Sequence, residues 1–304
     1  MSKIKVVVTG GAGFIGSHLV DALIERGFDA HIIDDLSAGK MENVNKKAVF
    51  HKEDVRNFEA IKKIIEGAKY VFHTAAKPRV QVSIQNPLET HDINVNGTVN
   101  VLVASKDVGV KRVIYSASSS AYGEQKTMPL LEDMQANPLS PYGLQKYIGE
   151  LECSVFNKVY GIETVSLRYF NVYGPRLLSE GGAYDLVIGR FLKQRKEGKP
   201  MTIVPDGEQT RDFTNVRDVV KANILAMESD KVGKGEVINI GAGKNYSVNK
   251  IADIIGGPKV YIEPRMEPKH TLADNRRAKN LLGWEPKIKF EDGIEELKAI
   301  WLKS

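Results

Sequence analysis

The chain of 304 residues has 42% hydrophobic and 27% charged residues, a balance typical of a globular protein rather than a disordered one. It contains no run of about 20 apolar residues, so we expect no membrane span. The formal net charge is +5, but Lys and Arg are spread along the sequence without a dense basic block, which does not favour nucleic-acid binding. The single cysteine, and the lack of room for a leader before the first apolar run, predict a cytoplasmic location.

Short β-branched runs alternate with longer helical patterns in the first half of the chain. The runs that predict buried strands are residues 5–9, 30–34, 70–73, 112–116 and 163–168. Continuous apolar strands that alternate with helices are typical of βαβ units. The pattern therefore predicts an α/β fold with a doubly wound parallel sheet covered by helices on both faces.

The pattern changes after residue 171, where clusters of Gly and Pro break the chain into shorter elements. We therefore expect residues 1–170 to form the large nucleotide-binding domain and residues 171–304 to form a smaller C-terminal α/β lobe for a substrate. A helical pattern at 216–228 and an apolar run at 236–240 predict that the chain returns to the large sheet around residues 214–241.

A glycine-rich turn follows the first predicted strand and opens a predicted helix. Glycines permit the tight turn and a close approach to a pyrophosphate, while the helix N-terminus offers unpaired N–H groups and a positive dipole. This context predicts that the turn binds a dinucleotide. The contacts that we expect are Gly10, Gly13, Phe14, Ile15 and Gly16.

Acidic residues follow the second predicted strand, at Asp34-Asp35, and a further predicted strand that ends shortly before Asp54. A carboxylate at Asp34 would accept hydrogen bonds from the ribose hydroxyls and would repel a 2′-phosphate, which favours NAD over NADP. Asp35, the alternative at this position, would instead cap the turn. We expect Asp54 and Val55 to lie beside the adenine, although an acidic loop residue such as Asp54 is also commonly just solvated.

Tyr142 and Lys146 form a Tyr-x-x-x-Lys pair on one face of a helix that we expect to start at Ser140-Pro141. A phenol with a pKa of about 10 is a poor base, and a depression of roughly three units by an ammonium and a cationic nicotinamide would make it useful. Ser118 follows a strand at the sheet edge where ligands bind. We predict that Ser118, Tyr142 and Lys146 are catalytic; the alternative is an ordinary amphipathic helix beside a turn-forming serine run.

In this order the motifs resemble those of the extended short-chain dehydrogenase/reductases, over nearly the whole chain. Further markers are residues 73–76, 94–98, 168–171 and 211–213. The resemblance implies a Rossmann domain with bound NAD, with Ala75, Ala76 and Asn94 as additional cofactor contacts. It also implies a homodimer formed through helices at 87–106 and 142–160. Within this group the chain is most similar to the UDP-galactose and UDP-N-acetylglucosamine 4-epimerases.

The resemblance also separates chemistries. Nucleotide-sugar 4,6-dehydratases carry Thr-Asp-Glu where this chain has Ser118-Ser119-Ser120, and decarboxylating relatives keep a Glu at the position of Ser120. What it implies here is an isomerase that epimerises C4 of a UDP-hexose through a transient 4-keto sugar, with NAD and no metal. The alternatives are a UDP-uronate 4-epimerase, an epimerase or reductase of GDP- or dTDP-sugars, and a non-catalytic NAD-binding scaffold.

Substrate contacts follow from the resemblance alone. It implies that Asn171 and Arg211 contact the nucleotide diphosphate, although Arg211-Asp212 is also consistent with a surface ion pair. Thr271 stands where a small side chain would leave room for a 2-acetamido group, while Pro268 replaces an Asp that usually binds a ribose hydroxyl. The other implied substrate contacts are Arg79, Ser118, Val187 and Arg265.

Overall fold

A computed structural model describes residues 3–177, 187–263 and 269–302. In chain order, its strands are Lys5–Thr9 (β1), Asp29–Asp34 (β2), Val49–Lys52 (β3), Tyr70–His73 (β4), Arg112–Ser118 (β5), Glu163–Tyr169 (β6), Val172–Tyr173 (β7), Met201–Ile203 (β8), Thr210–Asp212 (β9), Thr214–Asn215 (β10), Lys234–Ile240 (β11), Asn245–Ser247 (β12) and Lys259–Tyr261 (β13). The helices are Phe14–Glu25 (α1), Phe58–Ile65 (α2), Val80–Gln85 (α3), Pro87–His91 (α4), Gly97–Asp107 (α5), Pro141–Tyr160 (α6), Val187–Lys196 (α7), Val216–Glu228 (α8), Val248–Ile255 (α9), Arg276–Leu282 (α10) and Phe290–Leu302 (α11).

Seven of the described strands form one parallel sheet in the order β11-β6-β5-β4-β1-β2-β3. The chain moves outward from β1 through β2 to β3, and then returns to β4 on the other side of β1. Ligands of open α/β sheets bind at the carboxyl ends of the strands where the order reverses in this way. The doubly wound parallel sheet that the sequence predicts is confirmed.

Helices cover both faces of this sheet. Apolar residues of β1 alternate between the two faces: Val6 and Val8 pack with α1 and α8, while Val7 packs with residues of α2, α5 and α6. Because both faces are buried, apolar residues follow one another in strands such as β1 and β4 rather than alternating with polar ones, as the sequence indicated. Within the described ranges, none of the helices is both long and apolar enough to cross a membrane.

The chain after residue 170 contributes to both parts of the molecule. Strand β11 pairs with β6 at one edge of the large sheet, and α8 packs against α1. The short strands pair among themselves, as β7 with β10, β8 with β13, and β9 antiparallel to β12. Helices α7, α9 and α11 enclose a separate apolar core that includes Phe213, Tyr246 and Phe290.

Candidate active site

The turn between β1 and α1 brings the backbone of distant segments into close contact. Gly10 has a φ of +71°, and a Cβ atom there would lie 2.8 Å from the backbone of Ala75. A Cβ atom on Gly16 would lie 2.2 Å from the carbonyl oxygen of Gly10, so only glycine fits at both positions. Gly13, the N-cap of α1, has no side chain to bond the first turn. Backbone N–H groups of that turn therefore remain as donors for an anion.

A cleft of about 1220 Å³, part of it open to solvent, runs along this turn and the adjoining strand ends. The predicted cofactor and catalytic residues that line it are Gly10, Gly13, Phe14, Ile15, Gly16, Asp34, Asp54, Val55, Ala75, Ala76, Ser118, Tyr142 and Lys146. The structure thus brings the predicted dinucleotide contacts and the three predicted catalytic residues together in one cleft.

Asp34 lies at the end of β2 and is 7% exposed. Its carboxylate accepts hydrogen bonds from the backbone N–H groups of Ala12, at 3.0 Å, and Leu36, at 2.8 Å. Burial raises the pKa of Asp34, and the two N–H bonds act in the opposite direction. Each carboxylate oxygen keeps further acceptor capacity, which suits Asp34 to the hydroxyls of a ribose.

Asp54 follows β3, where its carboxylate pairs with Arg56 at 2.6 Å. The hydrogen bonds from the Arg56 side chain lower the pKa of Asp54. The next residue, Val55, is 5% exposed and adds apolar surface to the same end of the cleft. This pairing and the adjacent apolar surface suit an uncharged planar ring.

Asn94 lies behind the cleft rather than on its lining. Its side chain accepts a hydrogen bond from the backbone N–H of Lys77 at 2.8 Å and donates to the side-chain oxygen of Gln145 at 2.8 Å. Asn94 is fully buried. Its position therefore joins the loop after β4 to helix α6 and supports the cleft from below.

The three predicted catalytic residues come from two elements. Ser118 is the last residue of β5, and its hydroxyl lies beside the phenol of Tyr142, whose pKa it lowers. Helix α6 begins where the sequence predicts, with the Ser140 hydroxyl capping its first turn. One turn after Tyr142, the Lys146 ammonium donates to the carbonyl of Ser116 at 2.8 Å. The end of β5 and one face of α6 therefore bring the side chains of Ser118, Tyr142 and Lys146 together.

Burial dominates the electrostatics of this group. It raises the pKa of Tyr142 to about 12, with the Ser118 hydrogen bond acting in the opposite direction. Burial also lowers the pKa of Lys146 to about 8. From the sequence we expect an ammonium and a cationic nicotinamide to depress the pKa of the phenol. In the folded chain the pKa is instead raised, because the loss of solvent outweighs the opposing effect of Ser118.

Asn171, Arg211 and Thr271 meet around Asp212 in the smaller lobe. The Asn171 amide donates to the Asp212 carbonyl at 2.9 Å, and the Asp212 N–H donates to the Thr271 hydroxyl at 3.2 Å. The Arg211 guanidinium donates to the carbonyl of Lys269 at 3.2 Å. Asp212 is fully buried, so the alternative of a surface ion pair at Arg211-Asp212 is wrong.

The remaining predicted residues are dispersed. Arg79 precedes α3 and Val187 opens α7, and neither belongs to the lining of the cleft as described. Arg265 and Pro268 lie outside the described residues. Among the residues that the structure describes, no group of three or more His, Cys, Asp or Glu side chains could hold a metal ion.

Tyr169 and Arg176 are among the lining side chains that the sequence did not predict. Tyr169 pairs in register with Ser118, so its place at a neighbouring strand end was the available signal. Arg176 follows a Gly-Pro turn, and no sequence pattern marks it. One nitrogen of its guanidinium pairs with Asp21 at 2.8 Å, while Nη1 is buried without a hydrogen-bond partner among the described residues. A cationic donor such as Nη1 of Arg176, buried beside the glycine turn without a hydrogen-bond partner among the described residues, fits a dinucleotide pyrophosphate.

Comparison with known proteins gives consistent matches over the full length. The model of the NAD-dependent epimerase/dehydratase family matches residues 6–241. A putative UDP-glucose 4-epimerase of Methanocaldococcus jannaschii is 40% identical, with 98% of each chain covered. The structure of a UDP-glucose 4-epimerase with UDP-glucose from Thermotoga maritima is 39% identical, with a TM-score of 0.93 and 99% of each chain covered. The structure of a UDP-N-acetylglucosamine 4-epimerase of Methanobrevibacter ruminantium, in complex with UDP-N-acetylmuramic acid, is 40% identical, with a TM-score of 0.92 and coverage of 100% of this chain and 99% of that one.

Proposed function

We propose that this chain, which belongs to the NAD-dependent epimerase/dehydratase family, interconverts the C4 epimers of a UDP-linked hexose. The observation that carries the proposal is the convergence of Ser118, Tyr142 and Lys146 on the cleft that the glycine turn lines. A base, a helper hydroxyl and a cation beside a dinucleotide site suffice for oxidation and reduction at one carbon. The chain is on this basis an isomerase.

The catalytic residues divide the proton chemistry among them. NAD, when bound, supplies the acceptor and the donor for the C4 hydride. Tyr142 takes the proton of the C4 hydroxyl and later returns it, while Ser118 orients that hydroxyl and Lys146 stabilises the phenolate charge. The sugar remains bound through its nucleotide diphosphate while it presents its other face, which inverts C4.

The pKa values indicate when the base is active. With burial raising the pKa of Tyr142 to about 12 and lowering that of Lys146 to about 8, the phenol is protonated and the ammonium charged at neutral pH. Positive charge brought close to the phenol lowers its pKa. Tyr142 therefore removes a proton from the sugar only when cationic NAD⁺ is bound in the cleft.

We place the nucleotide diphosphate of the substrate at Asn171 and Arg211 and the C2 substituent of its sugar at Thr271, with Arg79, Val187 and Arg265 as further contacts. The Arg211 fork suits phosphate oxygens. Thr271 is small and its hydroxyl already accepts the Asp212 N–H, which leaves space for a substituent at C2. We therefore propose UDP-Glc and UDP-Gal as substrates, and UDP-GlcNAc and UDP-GalNAc in addition; one of the similar structures is a UDP-N-acetylglucosamine 4-epimerase.

We propose a homodimer formed through the outer faces of α4 and α6. Leu144, Leu151, Val155 and Val159 form an exposed apolar stripe along α6, and Leu88 on α4 is 86% exposed. The two helices pack beside each other, so the stripe and Leu88 belong to one side of the molecule. An apolar helix pair of this kind is self-complementary across a twofold axis.

We propose that the protein works in a reducing compartment, the cytoplasm. Cys153 is buried on α6, and burial raises the pKa of its thiol to about 12. A thiol in this state is an inert packing group. A buried, unreactive Cys153 is consistent with a fold that does not depend on disulfides.

The activity is tested by incubating the purified protein separately with UDP-Gal, UDP-GalNAc and UDP-galacturonate and resolving the C4 epimers. We expect conversion of the first two. Tyr142→Phe should nearly abolish turnover and keep the wild-type NAD content, because the phenyl ring fills the same space without a proton to exchange. Activity of the Tyr142→Phe protein, or no conversion of any UDP-sugar by the wild type, would overturn the proposal.

A further inference from the structure

Asp212 is a fully buried carboxylate that the proposed chemistry does not use. Its two oxygens accept hydrogen bonds from the backbone N–H groups of Ala242 at 2.7 Å, Gly243 at 2.9 Å and Ala273 at 3.0 Å. Burying a carboxylate is costly unless such donors compensate it. The side chain therefore holds the loop after β11 and the segment around Ala273 against strand β9.

The main-chain groups of Asp212 extend the same junction. The carbonyl accepts from the Asn171 amide, and the N–H donates to the Thr271 hydroxyl. Asn171 has a φ of +29°, a backbone conformation that is strained for a residue with a side chain and needs tertiary contacts to persist. Its bond to Asp212 is one such contact.

The junction is also closely packed. A Cβ atom on Gly241 would lie 2.3 Å from the Ala273 side chain and 2.9 Å from a carboxylate oxygen of Asp212. Arg211 precedes Asp212 on β9, where it pairs in register with Tyr246 of β12. The position of Arg211 therefore depends on a strand that Asp212 fixes from the next residue.

We propose that Asp212 is a positioning residue that holds Asn171, Arg211 and Thr271 in the arrangement that binds the UDP-sugar substrate. This inference rests on the proposed function, since it takes those three residues as substrate contacts. Asp212 itself touches neither substrate nor cofactor. Its loss should weaken binding of the nucleotide without changing the NAD cleft, which is built from other segments.

The test substitutes Asp212→Asn, which replaces one acceptor oxygen by an amide donor facing backbone N–H groups. Asp218→Asn is the matched control, because Asp218 of α8 is 3% exposed and accepts from the N–H groups of Lys287 and Ile288, both at 3.0 Å, in the segment between α10 and α11. UDP and NAD affinities are measured by calorimetry. For Asp212→Asn we expect the Kd of UDP to rise at least about tenfold with an unchanged Kd of NAD.

Kinetics separate positioning from general damage. The KM of the UDP-sugar should rise in Asp212→Asn while kcat stays within about threefold of wild type, since misplaced binding groups act mainly on substrate affinity. Asp218→Asn should lose thermal stability but keep its affinity for UDP. Wild-type affinity for UDP in Asp212→Asn, or an equal loss in Asp218→Asn, would overturn the positioning role. A wild-type protein that does not bind UDP would overturn the proposed function itself, and this inference with it.

A measurement on the unmodified protein covers the case in which Asp212→Asn does not fold. Hydrogen exchange of the backbone amides of Ala242, Gly243 and Ala273 is followed with and without UDP. Because these amides exchange only when the Asp212 junction opens, bound UDP should slow them, while the amides of Lys287 and Ile288 should exchange as before. Unchanged exchange at the first three amides, or equal slowing of both sets, would contradict the proposal.

Discussion

At the scale of single residues, His73 illustrates how buried polar groups support the segments that line the cleft. The Thr98 hydroxyl donates to the carbonyl of Asn94 at 2.7 Å, so it must accept from Nε2 of His73, 2.9 Å away. Nδ1 then accepts from the Thr9 hydroxyl at 2.7 Å. This neutral ring joins β1, β4 and α5 directly beneath the loop of Ala75 and Ala76.

His73 makes the stability of the fold dependent on pH. Burial lowers its pKa from 6.5 to about 3, so the unfolded chain takes up a proton that the folded chain refuses. The contribution is complete above pH 6.5 and is lost as the pH falls from 6.5 towards 3, with a slope approaching 1.4 kcal/mol per pH unit. We expect His73→Gln to flatten this part of the curve of unfolding free energy against pH, measured in urea.

The comparison must be made as a difference between the two proteins. Burial raises the pKa of Asp212 to about 6, which contributes a pH dependence of opposite sign over part of the same range. That contribution is common to wild type and His73→Gln and cancels in the difference. Parallel curves for the two proteins between pH 6.5 and 4 would show that His73 is not the titrating group.

The individual residues differ in how far the sequence predicts them. Ser118, Tyr142 and Lys146 follow from short motifs on a strand end and one helix face, because their geometry is set by neighbours in the chain. Arg176 and Asp212 do not, since the buried surroundings of each are assembled from segments far apart in sequence. The arrangement of such a residue becomes visible only when those segments have come together.

At the scale of elements, α6 was predictable and the helices before it were only partly so. Ser140 and Pro141 are local start signals, and α6 begins at Pro141. The helix predicted for residues 87–106 is present, although a π-type turn at Asp92–Asn96, which the sequence did not predict, lies between α4 and α5. A Cβ atom on Gly97 would lie 2.7 Å from the side chain of Val55, so the helix packs closely against the loop after β3 at this point.

The exposed stripe on α6 provides a test at this scale. Leu151→Glu places a charge in the middle of the stripe, where burial against a second copy would cost the solvation of the carboxylate. We expect the variant to sediment as a monomer at concentrations where the wild type is a dimer. Val260→Glu, at an exposed apolar position on β13, is the matched control and should leave the mass unchanged. A dimeric Leu151→Glu protein would exclude this interface.

At the scale of the whole molecule, the alternation of apolar strands and helices was sufficient to predict the architecture. Each predicted strand of the first half lies in one parallel sheet, because buried parallel strands have a continuous apolar pattern that is independent of their partners. The smaller lobe was predicted only as a change of pattern. Its strands have two or three residues each, and they exist through pairing with partners distant in sequence.

In the proposed mechanism, one hydride leaves C4 of the sugar and returns to the same carbon within the cleft. This mechanism is tested most directly with UDP-galactose that carries deuterium at C4, incubated with the protein in ordinary water. We expect the UDP-glucose product to retain the deuterium at C4, as detected by mass spectrometry and NMR. Product with hydrogen from the solvent at C4 would contradict this mechanism, since it would mean that a proton, not a hydride, is exchanged there.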